Sequence, residues 1–162
     1  ELHRHDNIVF RVMEEPGLRA SLITDSIHVS PLLFRILDRA LGSERICYTT
    51  DCMAAAGSGP GTYKLARMTL EVGEDGIVRQ PGKPNYAGSS LAPLEGVKRA
   101  ANMLDRPIHS VWPFFSDQPA KFMGLTRGLE SGTPADYCLL FADAEPRVEI
   151  HFAGDPVRTV KL

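Results

Sequence analysis

Between residues 18 and 51 the chain carries a strand pattern, a helix pattern and a second strand pattern in immediate succession, and this order restricts how the pieces can pack. Leu18-Arg19-Ala20-Ser21-Leu22-Ile23-Thr24 is a short mixed apolar run that reads as a strand. Asp25-Ser26 and Ile27-His28-Val29 follow, and Ser30-Pro31 then opens a helix. The serine can satisfy free backbone N–H groups of the first turn, and a proline at the first helical position sacrifices no hydrogen bond. Leu32, Leu33, Ile36, Leu37, Ala40 and Leu41 recur at helical spacing, which predicts a helix with one buried face, and Gly42 ends it. Arg45 to Asp51 is β-branched and aromatic enough to be a second strand. A helix filling the connection between two strands makes a βαβ crossover, so the strands should pair in parallel. In such folds functional groups collect at the carboxyl ends of the strands, and His28 and Asp51 fall at successive strand ends.

Downstream the character changes. Ala54 to Gly61 is a turn region of small residues. Thr62 to Leu65, Met68 to Val72 and Ile77-Val78-Arg79 look like short strands of an antiparallel excursion over about residues 57–86, with a breaker at Pro81 to Pro84. Gly88-Ser89-Ser90 precedes a predicted helix from Leu91 to Leu104. A further helix from Ile108 to Met123 should be interrupted or bent by Pro113 and Pro119. Ala135 to Phe141 and Arg147 to Phe152 alternate as two strands.

Composition excludes several classes. With 162 residues, 43% hydrophobic and 23% charged, the chain has the balance of one soluble globular domain. A net charge of −2 with scattered Lys and Arg argues against nucleic acid as a partner. Cys47, Cys52 and Cys138 form no CxxC pair and no even framework, which fits a reducing, cytoplasmic setting. No apolar run has the length of a membrane span, so no membrane partner is expected. The opening Glu1-Leu2-His3-Arg4-His5-Asp6 is not a signal peptide, and its abrupt polar start reads like the middle of a longer protein.

Asp51 is the strongest candidate for chemistry. An apolar strand leads to it and very small residues follow, which lets a substrate approach the backbone. A carboxylate there can take a proton from a metal-bound water and pass it to a leaving group. The competing reading is a solvated turn aspartate, or a cap on Met53 to Ala56. His28 is either a packing histidine between Ile27 and Val29 or a site residue that hydrogen-bonds a substrate carbonyl or binds a metal. His3-Arg4-His5 would present both rings on one face if it lay on a strand, a spacing that suits two metal ligands. Arg4 and Arg11 are candidates to clamp a phosphate. Cys52 lacks the motif of a nucleophile and reads as a small packing residue. There is no phosphate loop and no dinucleotide fingerprint.

Asp25-Ser26-Ile27-His28-Val29, then Thr50 to Gly57, then Gly61-Thr62-Tyr63, then Ala87-Gly88-Ser89-Ser90-Leu91, and late in the chain Gly132 to Asp136, form an ordered set. That set resembles the N-acetylglucosamine-6-phosphate deacetylase family of the amidohydrolase superfamily, over the C-terminal part of the family's length. The resemblance implies an α/β fold. Residues 1–130 would be the C-terminal portion of a (β/α)8 metal-dependent hydrolase barrel, with its last two strands and helices. Residues 131–162 would be C-terminal strands of a small β-sandwich domain. It implies a deacetylase that hydrolyses the acetamide of N-acetylglucosamine 6-phosphate, with Asp51 as the catalytic aspartate and a metal contact. His28 would contact the acetamide, Tyr86, Ala87 and Gly88 would form a loop closing over the substrate, and Arg4 would lie in the region that meets the phosphate. A divalent metal, zinc by analogy, would be held mainly by ligands upstream of residue 1.

Departures from the family's pattern are Ser26 for a usual glycine, Cys52 for a usual alanine, and the unusual segment from Leu2 to Asn7. Two alternatives stand beside this reading. One is a non-catalytic fragment lacking its metal ligands, which would associate with the missing N-terminal part or with a second copy as a homo-oligomer. The other is a related amidohydrolase acting on a different acylated sugar or a cyclic amide.

Overall fold

The structure, a computed structural model, describes residues 3–125, 128–141 and 147–161. It divides into two compact units, residues 1–119 and 120–162, and is mixed α/β.

The βαβ expectation holds. Strand β1 (Ala20–Ile23) and strand β2 (Ile46–Thr49) pair in parallel, Ala20 opposite Ile46 and Ile23 opposite Thr49. Between them runs helix α2 (Pro31–Leu41). The Ser30 hydroxyl accepts the Leu33 N–H at 3.3 Å, and Gly42 leaves the helix at φ 69°, a left-handed value that glycine takes without strain. The buried face of α2 differs from the one expected: it is Phe34, Leu37, Asp38 and Leu41, whereas Leu32 and Ile36 are exposed. The reason is Asp38. Its buried carboxylate accepts the Tyr48 hydroxyl and an Arg106 guanidinium N–H at 2.7 Å, so a charged residue is satisfied on the inner face. Burial, then Asp38, pushes the Tyr48 phenol far above its usual range, and its ring stacks on Phe114.

A helix before β1 was not anticipated. Helix α1 (Ile8–Glu14) is capped by Asn7, whose side chain accepts the N–H groups of Val9 and Phe10. Arg4 to Asp6 form bends and His3 is irregular, so the two-histidine spacing does not present a strand face. His3 Nδ1 instead accepts the Asp6 N–H at 3.2 Å. Residues 1 and 2 of that segment lie outside the described residues.

The excursion after β2 is a four-stranded antiparallel sheet in the order β3 (Gly61–Leu65), β4 (Met68–Val72), β5 (Ile77–Arg79), β6 (Tyr86–Ser89). Strand β6 corrects the expected loop at Tyr86 to Gly88, because Ile77 and Arg79 of β5 pair with Ser89 and Tyr86. Helix α3 (Pro93–Leu104) follows. The expected long helix from Ile108 is broken into α4 (Ile108–Val111), a 3-10 turn (Trp112–Phe114) and α5 (Asp117–Phe122). Pro113 cannot donate a helical hydrogen bond and ends the first piece, while Pro119 sits in the tolerant first turn of α5. The second unit contains an antiparallel sheet of β7 (Tyr137–Phe141), β8 (Arg147–Phe152) and β9 (Asp155–Lys161). β9 was missed in the sequence because Pro156 stands near its start and its apolar residues are sparse, both of which an edge strand tolerates. Among the described residues no helix is long and apolar enough to cross a membrane.

In the first unit α3 packs tightly on the ends of the parallel strands. A Cβ at Gly96 would stand 2.9 Å from Thr24 Oγ1 and 3.1 Å from Thr50 Cγ2, and both threonines are buried. Thr24 and Thr50 immediately precede Asp25 and Asp51. Gly96→Ala gains up to about 1 kcal/mol of helix propensity, but overpacking of this kind typically costs about 1–3 kcal/mol. The variant should therefore unfold at lower denaturant, by a net loss on the order of 1 kcal/mol. An unchanged or raised midpoint in urea unfolding would refute the tight seat.

Candidate functional site

The ends of β1 and β2 carry the two residues singled out in the sequence. β1 leads through buried Thr24 to Asp25, which is itself only 3% exposed. One oxygen of its carboxylate accepts the N–H groups of Ile27 and His28, each at 2.9 Å. The other lies 2.6 Å from His28 Nδ1. This small turn forces Ser26 to φ 65°, where a side chain is strained and glycine is not, which explains why glycine suits that position. The His28 ring meets the Tyr86 ring edge-on at 5.0 Å between centroids. His28 is thus gripped by a buried carboxylate and flanked by an aromatic ring on β6.

Burial alone would raise the Asp25 pKa, but the hydrogen bonds from His28 and from the Ile27 and His28 backbone outweigh it, and the group is held below its usual 3.8.

β2 leads through buried Thr50 to Asp51, which is exposed. Asp51 takes φ 49°, a left-handed turn value that aspartate tolerates better than most residues. Its backbone N–H donates to Thr49 Oγ1 at 3.3 Å, and its carbonyl accepts the Ser89 N–H at 3.0 Å. Met53 N–H in turn donates to Ser89 O at 2.9 Å, and Cys52 bridges Ser89 in parallel fashion. Strand β6 is thereby laid alongside residues 51–53. Gly88 takes φ 89°, a turn that glycine makes without strain, and it lies against the Met53 side chain and the Asp51 carbonyl. Among the described residues the Asp51 carboxylate makes no hydrogen bond or ion pair. It does not cap the turn that begins at Met53, so that reading of it finds no contact in its favour.

His28, Tyr86, Asp51 and Gly88 are therefore linked through β6 and the two strand ends. Ala87 packs against the apolar cluster of the antiparallel sheet. Arg4 lies before α1, where its Nε donates to His5 Nε2, and among the described residues it makes no hydrogen bond or ion pair with the other five candidates. Arg11 is engaged by Asp6 and Glu14. Asp25 was passed over in the sequence as part of a polar turn. The signal that could have found it is an aspartate three residues before a histidine in a strand-to-helix loop. Beside the site opens a cavity of about 340 Å³ lined in part by Asp25, Ser89, Ser90 and Arg99. Among the described residues no group of three or more His, Cys, Asp or Glu side chains is placed to hold a metal ion.

No protein-family model matches the chain. Individual proteins do, and they fall in one class, deacetylases of an amino-sugar phosphate. By name they are N-acetylglucosamine-6-phosphate deacetylases, and the chain is homologous to part of them. It is 30% identical over 140 residues to the protein of Vibrio furnissii, covering 86% of this chain and 34% of the relative. It is 25% identical over 146 residues to that of Bacillus subtilis, covering 88% and 36%. The crystal structure of the Thermotoga maritima enzyme superposes with a TM-score of 0.84 at 26% identity, over 98% of this chain and 44% of that one. An aspartate-to-alanine variant from Mycobacterium smegmatis, in complex with N-acetyl-D-glucosamine-6-phosphate, superposes with a TM-score of 0.82 at 25% identity, over 96% and 42%. The chain thus spans about a third of the length of the curated relatives it matches.

The lowered pKa of Asp25 makes a linkage prediction. A carboxylate that ionises more easily folded than unfolded adds stability above 3.8 and loses it as pH falls through its native value. The stability gap between the native chain and Asp25→Asn should shrink as pH drops below 3.8. Urea unfolding across that range checks it, and a gap independent of pH would contradict it.

Proposed function

We propose that this chain is the C-terminal portion of an enzyme that removes acetate from N-acetylglucosamine 6-phosphate. The observation that carries the reading is the placement of an exposed Asp51, whose carboxylate has no hydrogen bond or ion pair among the described residues, and a gripped His28 at adjacent parallel strand ends, in a chain homologous to such deacetylases. On this reading residues 1–130 contribute the last strands and helices of a (β/α)8 barrel, and 131–162 contribute strands to a small β-sandwich domain.

Asp51 takes a proton from the water that attacks the acetamide carbon. The carbon–nitrogen bond then breaks as Asp51 returns that proton to the departing amine, leaving acetate and glucosamine 6-phosphate. His28 contacts the acetamide, Tyr86 and Gly88 border the sugar, Ala87 contributes backbone, and the exposed Arg4 reaches for the phosphate. A divalent metal such as zinc would activate the water in an enzyme of this kind. The described residues do not supply a ligand set for one, and Asp51 would contribute a contact. Cys47, Cys52 and Cys138 are free thiols, which supports a cytoplasmic setting. Exposed Ile8, Phe10, Leu32 and Ile36 support burial of α1 and α2 against further chain or a second copy.

Asparagine keeps the shape of Asp51 and tolerates the same left-handed backbone, so Asp51→Asn should fold normally. In protein carrying this sequence, turnover of N-acetylglucosamine 6-phosphate should fall by about 10²–10⁴-fold, the usual worth of a positioned acid–base group. Release of acetate is the readout, and near-native turnover in a folded variant would refute the role of Asp51.

A further inference from the structure

We infer that Asp25 is the positioning residue of the site, fixing His28 with its proton on Nδ1 and leaving Nε2 as the nitrogen offered to substrate. The inference rests on the reading of His28 as a substrate contact.

Three contacts carry it. The Asp25 carboxylate is buried, and its first oxygen is occupied by the N–H groups of Ile27 and His28. Both are backbone donors and cannot turn away, so they fix the plane of the carboxylate. Its second oxygen then faces His28 Nδ1 at 2.6 Å, a separation that needs a hydrogen between the two atoms. An ionised carboxylate carries no proton, so the hydrogen must sit on the ring nitrogen. The lowered pKa of Asp25 agrees, because every one of its three partners favours the charged form. The opposite tautomer would set a lone pair on Nδ1 against a buried anion.

The consequence is chemical. In the neutral ring Nε2 carries the lone pair and accepts a hydrogen, as from an amide N–H or a sugar hydroxyl. In the imidazolium Nε2 donates instead, to a carbonyl or phosphate oxygen, with Asp25 as the counter-charge beneath. Tyr86, edge-on to the ring, adds a second restraint on its orientation. Asp25 itself need not touch substrate: at 3% exposure it acts through His28.

The test is long-range proton–nitrogen NMR of the ¹⁵N-labelled protein without substrate, at a pH where the His28 ring is neutral. The native chain should show a protonated Nδ1 and a bare Nε2. Asp25→Asn offers a carboxamide whose N–H₂ can only donate to Nδ1, so the tautomer should invert, as an asparagine in that position does elsewhere. Asp25→Glu should restore part of the native pattern. A native ring protonated on Nε2, or an unchanged tautomer in a folded Asp25→Asn, would overturn the inference. If Asp25→Asn does not fold, the native spectrum alone decides. No substrate enters this measurement, so its failure is distinct from failure of the deacetylase reading, which shows instead in the turnover of Asp51→Asn.

Discussion

The close seat of α3 on the parallel strand pair governs the rest of the first unit. Where helix meets strand the contact is glycine against threonine, with space for a Cβ missing at Gly96. The threonines it touches are the buried residues that immediately follow each strand, so the same contact that closes the core also fixes where the chain leaves the sheet. Asp25 and Asp51 follow one residue later. A helix held farther off would leave both strand ends free to shift, and with them the residues that face solvent. Packing distance thus sets where the two strand ends lie, and the contacts of His28 with Asp25 and Tyr86 then set how its ring is held.

The two strand ends are then used differently. At the first, a buried carboxylate accepts two N–H groups of its own turn and holds one histidine ring. At the second, an exposed carboxylate makes no hydrogen bond or ion pair among the described residues and is free to meet a ligand. Strand β6 joins the two, bonding to the backbone of residues 51–53 while its first residue, Tyr86, lies against His28. Gly88 suits this strand because its backbone turns at φ 89°, a value that side chains disfavour.

Much of this could be read in the residues. Ser30, Pro31 and Gly42 marked α2 because capping and left-handed turns depend on neighbours in sequence. The parallel pairing followed from the length and content of the connection. What escaped was set by partners distant in sequence. Asp38 lies on the inner face of α2 only because Tyr48 and Arg106 reach it, and no periodicity announces that. The loop at Tyr86 to Gly88 came from the resemblance, and the pairing of β6 with β5 and with Cys52 makes that stretch a strand. At the site, Asp51 and His28 were legible from their places at strand ends. Asp25 was not, since an aspartate in a turn has many bland uses and its burial is a tertiary fact. The role of Arg4 rests on resemblance, and its hydrogen bond to His5 neither adds to nor replaces it.

The most direct test of the account is a crystal structure of protein carrying this sequence with N-acetylglucosamine 6-phosphate bound. The account predicts the sugar over the ends of β1 and β2, its acetamide within hydrogen-bonding distance of His28 Nε2, the Asp51 carboxylate facing the amide, and Gly88 against the ring. A sugar bound away from both strand ends, or seated there with Asp51 turned from the amide, would contradict it.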